Sequence, residues 1–158
     1  MRIALLLLMF VTTIAAAQRR PPALYFQAGG EGLGLSANLD VGVTQSLRLR
    51  GGAGWFWTAV TVPLTASYLI GSRGSTLEVG GGATILAGPP DRTPNSGLAD
   101  ILTDAVFFEG VGTKVFAVGI LGWRYHPKDG AVIRVTATPF YGNGRAVFFA
   151  GASLGFTF

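Results

Sequence analysis

The chain contains no cysteine, only one histidine and few charged residues, and each shortage excludes a class of protein. Without cysteine there are no disulfide bonds and no acylated cysteine of the lipoprotein kind. With the usual zinc ligands so scarce, the sequence predicts no metal site and no cofactor. Only 13% of the residues are charged, and the basic residues do not cluster among aromatic ones, so no nucleic-acid binding is indicated.

Long apolar runs are also missing, since none reaches the roughly 20 residues that a membrane-spanning helix needs. The longest run, residues 3–17, follows Arg2 and ends in three alanines, which predicts a cleaved signal peptide over residues 1–17. A short N-terminal segment, 18–22, comes next, and one domain is predicted over 23–158. The mean hydropathy is nevertheless high, at +0.47. Apolar character without a spanning helix indicates a closed β-barrel, because its strands satisfy every backbone group within lipid.

The chain after residue 22 divides into eight short segments of alternating hydrophobicity, separated by turn residues. They are predicted at residues 24–30, 33–42, 47–57, 60–70, 75–87, 111–126, 130–141 and 146–158. The first two could instead be one bulged strand, but the apolar parity shifts between Ala28 and Leu33, which favours a turn at residues 29–32. The predicted fold class is therefore all-β: a transmembrane, antiparallel, up-and-down β-barrel of eight strands.

Charged residues within these strands all share one face, and the opposite face carries none. A soluble barrel would turn its charges outward, so here the uncharged face is predicted to meet lipid and the charges to face the lumen. The lumen residues in question are Asp40, Arg48, Arg50, Glu78, Lys114, Arg124 and Arg134.

Two interpretations of this lumen charge cluster follow. Eight strands enclose barely enough room for side chains, so the cluster is predicted to be a structural plug of ion pairs. Near one end, however, four arginines face two carboxylates, which would suit an anion-preferring constriction. The same face also carries large apolar residues, such as Phe116 and Phe140, so a narrow conduit for a small hydrophobic solute is a further alternative.

The strand ends and connections predict an orientation. Aromatic residues favour the two membrane interfaces, with Trp55 and Trp57 at the outer one and Tyr68, Trp123 and Tyr125 at the inner one. Short turns are typical of the periplasmic side, where both mature termini are also expected. The long loop 88–110 then lies outside and is a candidate contact for an unknown partner.

An enzymatic role is not indicated. The single histidine, His126, lies beside a turn with no nearby nucleophile, and no G-x-S-x-G motif is present. An outer-membrane enzyme that modifies lipid is kept only as a second alternative.

The chain ends in "GASLGFTF", with Leu154, Phe156 and Phe158 at alternate positions. This ending resembles the C-terminal signature of Gram-negative outer-membrane β-barrels, and the whole pattern resembles the small eight-stranded, porin-like members of that group. The resemblance implies an outer-membrane location and insertion by the β-barrel assembly machinery, with those three residues as the assembly signal. We expect a monomer surrounded by outer-membrane lipid, with a structural or surface-interaction role.

Overall fold

The computed structural model describes residues 21–56, 59–72, 74–88, 113–126, 130–142 and 145–158. Within these ranges the chain forms eight strands and one short 3-10 turn, Gly30–Gly32. The strands are β1 (Ala23–Gly29), β2 (Leu35–Gly42), β3 (Leu47–Phe56), β4 (Ala59–Ser72), β5 (Ser75–Ala87), β6 (Lys114–Tyr125), β7 (Ala131–Gly142) and β8 (Arg145–Thr157). Each strand pairs with its sequence neighbours, and β8 pairs with β1 to close a barrel. All the pairings are antiparallel, which confirms the predicted fold class.

The predicted strand positions agree closely with the observed ones. β1 and β2 are separate strands paired from Ala23 with Asp40 to Ala28 with Leu35, so the alternative of one long bulged strand is wrong. β6 begins at Lys114, and Thr113 before it belongs to no strand. The predicted signal peptide, Trp57 and residues 89–110 of the long loop lie outside the described residues. No helix in the described part of the chain is long and apolar enough to cross a membrane.

Side chains alternate between the two faces of the barrel wall. In β7, for example, Val132, Arg134 and Thr136 are buried while Ile133 and Val135 are exposed. Because successive residues of a strand point to opposite faces, one set fills the lumen and the other forms the outer surface. The exposed set is almost wholly apolar: its large members run from Phe26 on β1 to Phe158 after β8. Such an outer surface suits lipid rather than water.

The two ends of the barrel differ. The terminal end holds Ala23 and Thr157 together with the short connection at residues 43–46, and the loop end holds the other end of each strand. A hydrophobic cluster lies inside the barrel near the loop end; its buried members are Leu33, Leu86, Phe116, Val118 and Phe140. A smaller cluster of Ala23, Tyr25 and Val132 lies near the terminal end. Polar and charged side chains occupy the space between them.

The turn between β1 and β2 folds into the lumen. The β1–β8 ladder stops at Gly29 and Gly151, although β8 continues to Arg145. There the chain leaves the wall, and residues Gly30–Gly32 are buried inside the barrel. We call residues 29–34 the inward turn. Gly29 has φ 72° and ψ −150°, a conformation that only glycine adopts readily, so the inward course starts at a position that needs glycine.

Candidate functional site: a buried ion-pair network

Strand register brings the first charges of the network together. Asp40 on β2 pairs directly with Arg50 on β3, and Arg48 lies two residues away on the same face. Arg124 and Arg134 are partners in the β6–β7 ladder, and Glu78 lies on the adjoining strand β5. All of these side chains point inward because they share the buried parity of their strands.

Asp40 is the centre of the part nearest the terminal end. Its Oδ1 accepts a hydrogen bond from Nε of Arg48 at 2.5 Å, and its Oδ2 accepts one from Nη1 of Arg124 at 2.5 Å. Arg50 reaches the same Oδ2 at 3.2 Å. Arg48 also donates from Nη2 to the backbone carbonyls of Asp40 and Pro21, at 3.0 and 3.2 Å. One carboxylate therefore orients three guanidinium groups.

Glu78 holds two arginines from one side of the lumen. Its Oε1 accepts from Nη2 of Arg50 at 2.6 Å, and its Oε2 accepts from Nε of Arg134 at 2.7 Å. Charge-assisted hydrogen bonds of this length are the strongest that side chains form.

The structure adds a third carboxylate, Glu31, which the sequence placed only within a turn. Its Oε1 accepts from Nη1 of Arg50 and from Nη1 of Arg134, each at 2.9 Å, and its Oε2 accepts from Nε2 of Gln27 at 2.8 Å. The network thus sets four arginines against three carboxylates rather than two, which leaves one unit of positive charge. The sequence shows only a lone carboxylate among glycines, which does not distinguish an inward turn from a solvated one.

Lys114 lies apart from this network, which corrects its predicted place in the cluster. It is the first residue of β6, whereas Arg124 is near the end of the same strand. Ten residues of strand separate them, or roughly 30 Å. Lys114 is half-buried at the loop end and belongs to the mouth of the barrel.

Tyr25 is a further member that the sequence did not single out. It is buried in the lumen, and the guanidinium carbons of Arg50 and Arg134 lie 5.3 and 5.9 Å from the centre of its ring. Both are within the range of cation–π attraction. The ring thus packs beside the two arginines that hold Glu31 and stabilises their charge.

The network is sealed from solvent. Every one of its arginine and carboxylate side chains is at most 1% exposed. Several hydroxyl groups of the surrounding wall, including those of Thr136 and Ser153, find no hydrogen-bond partner among the described residues. A buried charge that loses its partner costs several kcal/mol, about 3–5. Arrangements of the lumen side chains that break these ion pairs are therefore disfavoured.

His126 adjoins the network. Its Nε2 accepts a hydrogen bond from Nε of Arg124 at 2.7 Å. A ring nitrogen engaged with an arginine is not placed to deprotonate a serine. Across the described ranges, no group of three or more histidine, aspartate or glutamate residues is arranged to hold a metal ion.

The remaining predicted residues lie on the outer surface. Trp55, at the loop end, is exposed, as are Tyr68, Trp123 and Tyr125 toward the terminal end. The rings of Trp123 and Tyr125 stack with centres 5.9 Å apart. The final apolar set of the chain, Leu154, Phe156 and Phe158, is also exposed.

Comparisons with known proteins agree with this architecture. No protein-family model matches the sequence, and no curated protein does. The N-terminal β-barrel domain of OprF from Pseudomonas aeruginosa is similar in structure, with a TM-score of 0.63 over 87% of this chain and 95% of that one, at 15% identity. Ail, the attachment invasion locus protein of Yersinia pestis, matches with a TM-score of 0.47 over 87% and 94% of the two chains, at 12% identity. The chain has the fold of the small eight-stranded outer-membrane β-barrels.

Proposed function

We propose that this chain is an integral outer-membrane protein with a closed, side-chain-filled lumen and a structural or surface-interaction role. The observation that carries the proposal is the sealed network of Glu31, Asp40 and Glu78 with four arginines, between two apolar clusters. A lumen filled in this way leaves the outer surface and the loops as the parts that contact other molecules.

The outer surface supports the membrane location. Its large apolar side chains are exposed around the whole barrel, with aromatic residues toward both ends. In water such a surface would drive aggregation, whereas in a bilayer it faces hydrocarbon and headgroups. The proposal places both chain ends in the periplasm, after removal of the signal peptide, and it makes the long loop the contact for any outside partner.

Quenching of tryptophan fluorescence by brominated lipids tests the membrane location. The refolded protein in vesicles should show quenching of Trp55 and Trp123, since both are exposed on the outer surface. Single-tryptophan variants that keep only one of them separate the two signals. Absence of quenching in a folded, heat-modifiable barrel would contradict insertion.

Conductance in planar bilayers tests the closed lumen. Because the ion pairs and both apolar clusters fill the interior, the wild-type barrel should show no steady openings. Steady, anion-selective openings would show that the barrel is a narrow channel and that the lumen is not closed. The folded state of the sample is checked by its shift in gel mobility on heating.

The proposed role is not enzymatic. The hydrogen bond from Arg124 to His126 supports this, because a ring nitrogen engaged with an arginine is not free to act as a general base. Lipid A from cells that lack the protein should therefore match that from wild-type cells in mass spectra. A changed acyl pattern, restored by the wild-type gene and not by a His126→Ala variant, would reverse this part of the proposal.

A further inference from the structure

The carboxylate of Glu31 lies among three donors that belong to the barrel wall. Gln27 on β1, Arg50 on β3 and Arg134 on β7 each donate to it, at 2.8, 2.9 and 2.9 Å. Only the acceptor comes from the inward turn. The wall itself therefore presents a receptor for one carboxylate.

This receptor is held in place without the turn. Arg50 and Arg134 both bind Glu78, so neither arginine would lose its last carboxylate if Glu31 left. The side-chain oxygen of Gln27 accepts a weaker hydrogen bond, of 3.4 Å, from Asn38, which helps to orient the amide. A site whose donors are oriented by other partners is pre-organised for its ligand.

The charge around the receptor favours an anion as its ligand. Arg50 and Arg134 carry two positive charges, and Glu78 supplies one negative charge. Glu31 supplies the second. Without it, the network has four arginines against two carboxylates in a site closed to solvent, so an anion bound beside Arg50 and Arg134 offsets part of the excess positive charge.

The inward turn is strained. Leu33 has φ 65° and ψ −56°, which a residue with a side chain rarely adopts, and Gly29 and Gly30 also have positive φ. Besides the Glu31 carboxylate, the wall holds the turn through hydroxyl groups: Thr61 donates to the carbonyl of Gly32 and Thr84 to that of Glu31. These contacts therefore hold the turn inward against the backbone strain at Leu33.

We propose that Gln27, Arg50 and Arg134 form a carboxylate-binding site, which Glu31 occupies from within the chain and which an external carboxylate fills when the inward turn swings out. The external group is either a free small carboxylate or an acidic side chain of a peptide segment. The turn is thus a built-in competitor, and the loop end is the side from which the ligand enters.

The first experiment uses Glu31→Gly, which empties the site, and the control Glu31→Gly/Arg134→Gln, which also removes one of the two guanidinium donors of the site. The urea midpoint of each refolded barrel is measured against sodium acetate, with sodium chloride at equal ionic strength. Acetate should raise the urea midpoint of Glu31→Gly to a plateau. It should bind the control variant more weakly, by roughly tenfold or more. The blocked peptide N-acetyl-Gly-Glu-Gly-amide, whose only carboxylate is the glutamate side chain, is then titrated in place of acetate: the tighter binder of the two identifies the class. Equal responses to acetate and chloride would overturn the site.

The second experiment leaves the network intact. The chain has no cysteine, so Leu33→Cys places a single thiol on the buried turn, and Val118→Cys places one on the buried wall as a control. Acetate should speed labelling of the first thiol by a soluble reagent and leave the second unchanged. If acetate and chloride give the same rate at residue 33, the turn does not yield to a carboxylate and the proposal fails.

Discussion

Arg134 and Glu78 form an ion pair at 2.7 Å although strand β6 lies between their strands in the barrel wall. Their side chains therefore meet over the lumen face of β6. Backbone ladders join only neighbouring strands, so side-chain contacts of this kind tie together parts of the wall that no ladder connects. The network adds these contacts across the lumen to the eight ladders, so the loss of one carboxylate should lower the stability of the whole barrel.

Glu78→Gln should lower the free energy of unfolding by about 3–5 kcal/mol, because it leaves buried arginine charge uncompensated. Urea titration of the refolded barrel measures the change. Ser75→Ala on the same strand is the control: it removes only an exposed hydrogen bond from Trp123 and should cost about 1 kcal/mol or less. Similar losses for both variants would show that the ion pairs add little.

Arginine substitutions on the outer surface should lower the free energy of unfolding strongly only at the middle of the membrane. Leu121 lies near the middle of β6 and Tyr125 at its end, and both are exposed. Leu121→Arg should destabilise the barrel in vesicles by about 2–4 kcal/mol, and Tyr125→Arg by about 1 kcal/mol or less. Reversible unfolding in vesicles gives both values. Equal costs at the two positions would contradict a lipid-facing wall.

Two glycines should respond differently to alanine. A Cβ at Gly82 would lie 2.2 Å from the carbonyl oxygen of Leu64, a backbone atom that cannot yield, so Gly82→Ala should destabilise by about 1–3 kcal/mol. A Cβ at Gly51 would meet only the side-chain Cδ2 of Leu64, at 3.4 Å, and Gly51→Ala should be nearly neutral. The difference in urea midpoint between the two variants checks the close approach of β4 and β5. No difference would argue against it.

Replacing Phe158 should reduce the amount of folded barrel in cells more than it reduces refolding in vitro. If Phe158 belongs to the predicted assembly signal, Phe158→Ser should reduce the amount of folded barrel in outer membranes several-fold and leave refolding into detergent almost unchanged. Phe148→Ser on β8, whose side chain is also exposed, is the control. Equal losses in cells for both variants would assign the effect to general hydrophobicity.

The sequence by itself determined the barrel and the side of the wall on which each charge within a strand lies. Strict alternation along segments such as Leu47–Phe56 fixes the facing of every residue, because a strand has a period of two and lipid tolerates no charge. The inward course of residues 29–34 was decided only by the tertiary structure. Local pattern shows a glycine-rich turn, but whether it points to solvent or into the lumen depends on the arginines that strands β3 and β7 bring opposite it. Glu31 is buried because Arg50 and Arg134, distant in sequence, meet there and supply the charge that offsets its loss of water.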